Sequence, residues 1–244
     1  EKAIYNNQGL PITVEENNKL FLKNKYLKMA ALVAIFSFTG CIQYLPEIQN
    51  PEIKKKDSLL RERTLFFNIE VMPEATRLAE TGDIVTRMGT DISSLMLSKI
   101  NPTDPSYSHC GIISIEQDTA FVYHTIGGEL NPDQKMRRDP MFLFARPADC
   151  KRLGIFSINL TEGQKQDLAF LVNKLYHNGL SFDMEFDLET NEKQYCSEMV
   201  AKSIGKIMGK MDWVSTLRYN NLSFIPVENI YHNRFVREKK RFVY

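Results

Sequence analysis

From residue 81 onward the apolar positions come in short alternating runs that give way to helical spacing, and the switches mark out the elements. The run TGDIVTRM (81–88) has a Gly-Asp turn followed by alternating apolar residues and predicts a strand. Residues 91–100, DISSLMLSKI, place Ile92, Leu95 and Met96 at helical spacing. SHCGIISI (108–115) and TAFVYHT (119–125) are β-rich runs separated by Glu116, Gln117 and Asp118, which reads as a hairpin. Residues 160–179 start a helix at Thr161, carry Leu168, Leu171, Val172 and Leu175, and stop at Gly179. SFDMEFDLET (181–190) alternates apolar with acidic residues as an exposed strand does, so Asp183, Glu185, Asp187 and Glu189 read as a solvated face. A last helix opens at Cys196 and runs through Met199, Val200, Ile204, Ile207, Met208 and Met211. Strands mixed with helices, without regular βαβ repetition, predict an α+β fold.

Upstream the pattern differs. Residues 22–41 give a basic stretch (Lys23, Lys25, Lys28), an apolar run from Met29 to Phe38, and then Thr39-Gly40-Cys41. That order matches a secretory signal ending in a bacterial lipoprotein cleavage box, with Cys41 as the lipidated residue and an extracytoplasmic, membrane-anchored product. Residues 1–21 precede it, which a start at Leu22 accommodates; the alternative is an amphipathic helix or short membrane segment, and the run is short for a span. Residues 50–70 are highly charged and read as a linker passing into a helix with Leu59, Leu60, Phe66 and Phe67 on it. The expected organisation is therefore a leading segment over 1–70 and one domain over 71–244.

Composition narrows the classes further. Thirty-one Lys and Arg face 30 Asp and Glu, so no overall field draws in nucleic acid. The four cysteines, Cys41, Cys110, Cys150 and Cys196, have no CxxC or Cys/His zinc spacing, which argues against a structural metal and leaves one Cys110–Cys150 bridge open.

The chemistry collects on the hairpin and the last helix. If the hairpin loop centres between Glu116 and Gln117, His109 falls directly opposite His124, with Cβ atoms about 5 Å apart. A catalytic histidine needs a second polar group on its other ring nitrogen, and His124 is placed to be that group for His109. Two structural histidines are the plainer reading. Cys196 at a helix start gains free N–H groups and the positive end of the dipole, which suit a thiolate. It also falls on the apolar stripe with Met199 and Val200, as a buried structural cysteine does, and a capping box from Asn191 to Gln194 would move it one turn inside the helix. Tyr107 and Tyr195 are candidates for an oxyanion donor or substrate wall, or for packing, and Asp83 is read as organising its turn.

Taken in order, GDIVTR, SHCGI, YHTIGG, YCSEMV and LSFIPVENI resemble the YiiX-like cysteine hydrolases, a circularly permuted branch of the NlpC-type papain-like superfamily, over roughly residues 75–232. The resemblance implies a permuted papain-like fold with an antiparallel barrel-like sheet packed against the nucleophile's helix. It implies Cys196 as nucleophile, His109 as general base and a third polar residue where His124 stands, with no cofactor or metal. Many relatives have glutamate at that third position. Histidine there is similar to the lecithin:retinol acyltransferase-like relatives. The expected function is hydrolysis of an amide or ester, in a cell-wall peptide or lipid-linked substrate, through a thioacyl enzyme. The alternatives are acyl transfer from a lipid by the same residues, and a non-catalytic lipoprotein that keeps the fold as a binding module.

Overall fold

Alternation along the strands sorts the core into two layers, one on each face of a single sheet. The computed structural model describes residues 51–127, 134–219 and 222–244. The signal-like run and Cys41 lie outside the described residues. Among the described residues there are eight strands: β1 (Ile84–Gly89), β2 (His109–Glu116), β3 (Thr119–His124), β4 (Arg137–Pro140), β5 (Cys150–Ile158), β6 (Leu217–Tyr219), β7 (Leu222–Phe224) and β8 (Val236–Val243). Six of them form an antiparallel sheet in the order β4-β3-β2-β1-β5-β8, while β6 and β7 pair separately.

One face of the sheet presents Ile84, Cys110, Ile112, Tyr123 and Phe156 to two helices, α5 (Glu162–His177) and α6 (Cys196–Met208). The opposite face presents Val85, Ile113, Val122, Leu153 and Ile155 to Phe67 and Val71, in a π-helical turn, and to Met141 and Phe144 of the short helix α4 (Met141–Phe144). Period-two alternation makes both faces apolar, as a sheet covered on both sides requires. The fold is α+β, an antiparallel sheet packed against helices.

The helix α1 (Pro51–Phe66) leads into that π-turn and α2 (Met72–Leu78). Two compact units divide at Lys55/Lys56, so residues 56–70 belong with the main domain rather than with a leading segment ending at residue 70. The physical reason is burial, because Phe67 is 3% exposed. Arg63 also donates to the Cys150 carbonyl at 2.7 Å.

Two predicted features differ. Residues 181–190 form a loop, not a strand: Phe182, Phe186 and Leu188 pack inward and Asp183 is buried, accepting from the Glu185 and Asp187 amides at 2.9 and 2.6 Å. The α6 helix stops at Met208, because Gly209 adopts φ +63° as its C-cap. The helix α3 (Ile92–Lys99), capped by Asp91 accepting from the Ser94 amide at 2.8 Å, exposes Ile92, Leu95 and Met96 and buries Ser98. Asp83 does organise its turn, accepting from the Glu80 amide at 2.8 Å.

Candidate active site

The hairpin sets the first two groups. Glu116 pairs with Thr119 and Ile112 with Tyr123, around a two-residue loop in which Gln117 and Asp118 have φ +48° and +63°. Positive φ at both positions is the primed turn whose twist matches the strands. The loop thus centres between Gln117 and Asp118, one residue later than the sequence reading, and the register carried one step further sets His124 opposite Gly111. His109 and His124 are therefore diagonal rather than directly opposed. A two-residue shift keeps them on one face, and their rings still meet, with His109 Nε2 to His124 Nδ1 at 2.9 Å. Gly111 clears the way, since a Cβ there would lie 2.7 Å from Val122 Cγ1 and 3.1 Å from His124 Cβ.

The next strand repeats the step. His124 pairs with Arg137 and Val122 with Asp139 across β3 and β4, so Asp139 is diagonal to His124 on the same face. Its Oδ2 lies 3.1 Å from His124 Nε2. His109, His124 and Asp139 form one line across three adjacent strands. Phe144 backs it, with ring centroids 5.7 Å from His109 and 5.1 Å from His124.

Cys196 comes from the other face of the sheet. Tyr195 is the N-cap residue in extended conformation, and its amide donates to Glu198 Oε2 at 3.2 Å. Cys196 is thus the first helical residue, and no Asn191–Gln194 box moves it inward. Three apolar neighbours in the same cluster, Cys110, Met199 and Val200, make it part of the buried stripe as well. His109 is the first residue of β2, and its ring acts electrostatically on the Cys196 sulfur. Both residues line the same cleft, and both are 8% exposed.

Electrostatics favour a thiolate at this position. A hydrogen bond from the Cys110 thiol, followed by the charge and hydrogen bond of His109, pulls Cys196 well below the usual thiol range against the opposing effect of burial. Burial and the neighbouring Cys196 push the Cys110 thiol up, so Cys110 is the donor of the pair. Burial lowers His124 to about 3, keeping it neutral. Burial opposes ionisation of Asp139, but hydrogen bonds from His124 and Arg137 outweigh it and hold the carboxyl at about 2.

The cleft beside Cys196 has a volume of about 360 Å³. Its walls are mostly apolar: Leu97 and Ile100 near α3, Phe182 and Phe186 from the 181–190 loop, and Phe224 and Val227. Phe186 takes φ +56°, an unusual conformation that carries its ring onto Tyr195, with centroids 4.9 Å apart. The Phe224–Val227 wall is fixed to the helix start: the Ile225 amide donates to the Tyr195 hydroxyl at 2.8 Å, and Ser197 Oγ donates to the Ile225 carbonyl at 2.6 Å.

Of the residues singled out from sequence, Cys196, His109, His124 and Tyr195 come together here. Tyr107 does not. Its ring is buried edge-on against Phe156 and Tyr231, at 6.1 and 5.3 Å, away from the cleft lining. Cys110 and Cys150 are both free thiols, so the open possibility of a bridge is not realised. Asp139 and the aromatic wall were not anticipated. Asp139 stands in RRDP, where the flanking arginines make it look like one more solvated charge, and only the β3–β4 pairing reveals its role in the line.

No family model matches the chain, and no curated protein does. Among solved structures, the metalloprotein YiiX from Escherichia coli O157:H7 matches with a TM-score of 0.56 and 15% identity, over 68% of this chain and 99% of that one. At that identity the likeness concerns the backbone arrangement, and in that sense the fold of this chain is YiiX-like.

Proposed function

We propose that this protein is a cysteine hydrolase of the papain-like kind, cleaving an amide or ester bond through a thioacyl intermediate at Cys196. The observation that carries the reading is that Cys196 and His109 line one cleft, with His109 hydrogen-bonded to the buried His124 behind it. In the first half-reaction the Cys196 thiolate attacks the substrate carbonyl, and the His109 imidazolium gives its proton to the leaving amine or alcohol. Water, deprotonated by His109, then attacks the thioester carbonyl, releases the acid and restores the thiolate. The N–H groups of the first turn of α6, that of Cys196 first among them, would hold the developing oxyanion.

The cleft walls favour a lipid-linked acyl group over a polar cell-wall peptide. The same largely apolar lining also supports the second reading, transfer of the acyl group to an amine or alcohol in place of water. An anchored, extracytoplasmic setting through Cys41 would suit either substrate. YiiX, the structural relative, is described as a metalloprotein. Among the described residues of this chain no group of three His, Cys, Asp or Glu converges on a metal position. No step is routed through a metal.

Site-resolved alkylation by iodoacetamide across pH 4–9 tests the pair. Cys196 is expected to react fastest of the cysteines, to stay reactive well below the usual thiol pKa of about 8.5, and to lose that low-pH reactivity in His109→Ala. Medium-chain p-nitrophenyl esters are expected to turn over faster than the acetate. An inert Cys196, indifferent to His109, would return the protein to the class of binding modules.

A further inference from the structure

Asp139 ends the line of side chains that starts at Cys196, one strand beyond the last group the thioacyl chemistry requires. Its Oδ2 lies 3.1 Å from His124 Nε2. The Arg137 guanidinium clamps the same carboxylate at 3.0 Å to Oδ1 and 2.8 Å to Oδ2. Around His124 the charged or titratable groups are Asp139 on β4, His109 on β2 and Arg87 on β1, and around Cys196 they are Cys110 and His109.

An ionised carboxylate only accepts hydrogen bonds. Asp139 is ionised throughout the neutral range, so the proton of its contact sits on His124 Nε2. His124 is neutral and 1% exposed, so its Nδ1 carries a lone pair. That lone pair faces His109 Nε2, which must therefore be the protonated nitrogen. His109 Nδ1 is then the nitrogen left for Cys196. Each proton assignment follows from the one before it, and the first rests on the carboxylate.

We propose that Asp139 is a positioning residue that fixes the tautomers of His124 and His109 in turn and so leaves His109 Nδ1 as the nitrogen free of a proton for exchange with Cys196. The inference deepens the thiol-hydrolase reading and rests on it for the role of Cys196. In the thiolate–imidazolium state His109 Nε2–H donates to a neutral imidazole already polarised by Asp139, so losing the carboxylate weakens a hydrogen bond made by a charged donor. Without Asp139, His124 either leaves Nε2–H unpaired or moves its proton to Nδ1, where it confronts His109 Nε2–H. Both outcomes raise the cost of the imidazolium and lift the pKa of Cys196.

Long-range ¹H–¹⁵N spectra of the histidine rings, with iodoacetamide profiles of Cys196, test the assignment on the full chain. In the wild type His124 is expected to carry its proton on Nε2. Asp139→Ala is expected to shift that proton wholly or partly to Nδ1 and to move the low-pH limb of Cys196 alkylation upward by about one to two pH units, the equivalent of one hydrogen bond to a charged group. Asp139→Asn, which keeps an acceptor oxygen and the side-chain volume, is expected to shift the limb less in the same direction. A purely structural aspartate would change the melting temperature without moving the pH profile. A wild-type His124 protonated on Nδ1, or a folded Asp139→Ala whose profile overlays the wild type, overturns the proposal; should Asp139→Ala not fold, the wild-type tautomer and Asp139→Asn decide. A Cys196 profile indifferent to His109→Ala overturns the thiol chemistry instead, and the wild-type tautomer separates the two failures.

Discussion

Gly111 shows how much of the site depends on an atom that is not there. It occupies the position across from His124, and His109 reaches its partner diagonally over it. A methyl at 111 would also stand 2.8 Å from the Tyr123 carbonyl, well inside van der Waals contact, so the two strands would have to separate where the histidines meet. Gly111→Ala is expected to cost about 1–3 kcal/mol in urea unfolding and to slow alkylation of Cys196 at pH 6. Unchanged stability and reactivity would mean that the strands part there without consequence. The histidines and the cysteine were legible in the sequence because their residue types suit nucleophilic chemistry. Gly111 was not, because its contribution is a missing Cβ that only the pairing register locates.

Elements add constraints that their residues do not carry singly. The α6 helix presents Cys196 at its first position because Tyr195 is extended and Glu198 returns to cap the Tyr195 amide. Glu198 is fully buried, and burial pushes its carboxyl up to about 7 from an ordinary value of 4.5, with Lys202 at 2.8 Å offsetting only part of the cost. A raised pKa means the fold prefers the neutral acid. That contribution to stability is complete below pH 4.5 and is lost as the pH rises through about 7. Glu198→Gln retains an acceptor for the cap and cannot ionise, so its melting temperature relative to wild type is expected to rise by roughly 5–10 °C between pH 5 and pH 8. Parallel melting curves across that range would sink the assignment. The α6 start at Cys196 was readable from its apolar period, but the sequence left an Asn191–Gln194 box open as an alternative, since a side chain's choice between local acceptors depends on which of them is buried. The 181–190 segment failed as a strand for a related reason. Its alternation is real, yet Asp183 turns inward to hold the loop amides, and Phe182 and Phe186 face the cleft instead of a neighbouring strand.

Across the protein as a whole, two faces of one sheet carry different duties. The helix bearing Cys196 packs on one face, the π-turn with Phe67 on the other, and the end of β2 is where a ring from the second face reaches a thiol from the first. Phe67→Ala is accordingly expected to cost about 3–5 kcal/mol as a core void, measured by urea unfolding, while the pH profile of Cys196 alkylation stays where it is. A shifted profile would mean that the two faces are coupled through the sheet. The pattern along the chain was sufficient for the α+β class, the hairpin, the helix that opens at Cys196 and the two histidines on a common strand face, because periodicity and residue chemistry are local properties. Folding in three dimensions was needed for the two-residue shift in the hairpin register, the arrival of Asp139 from β4, the contact between Cys110 and Cys196, and the aromatic wall of the cleft. Each of those joins residues distant along the chain or turns on backbone geometry at a single position, and local periodicity carries no information about either.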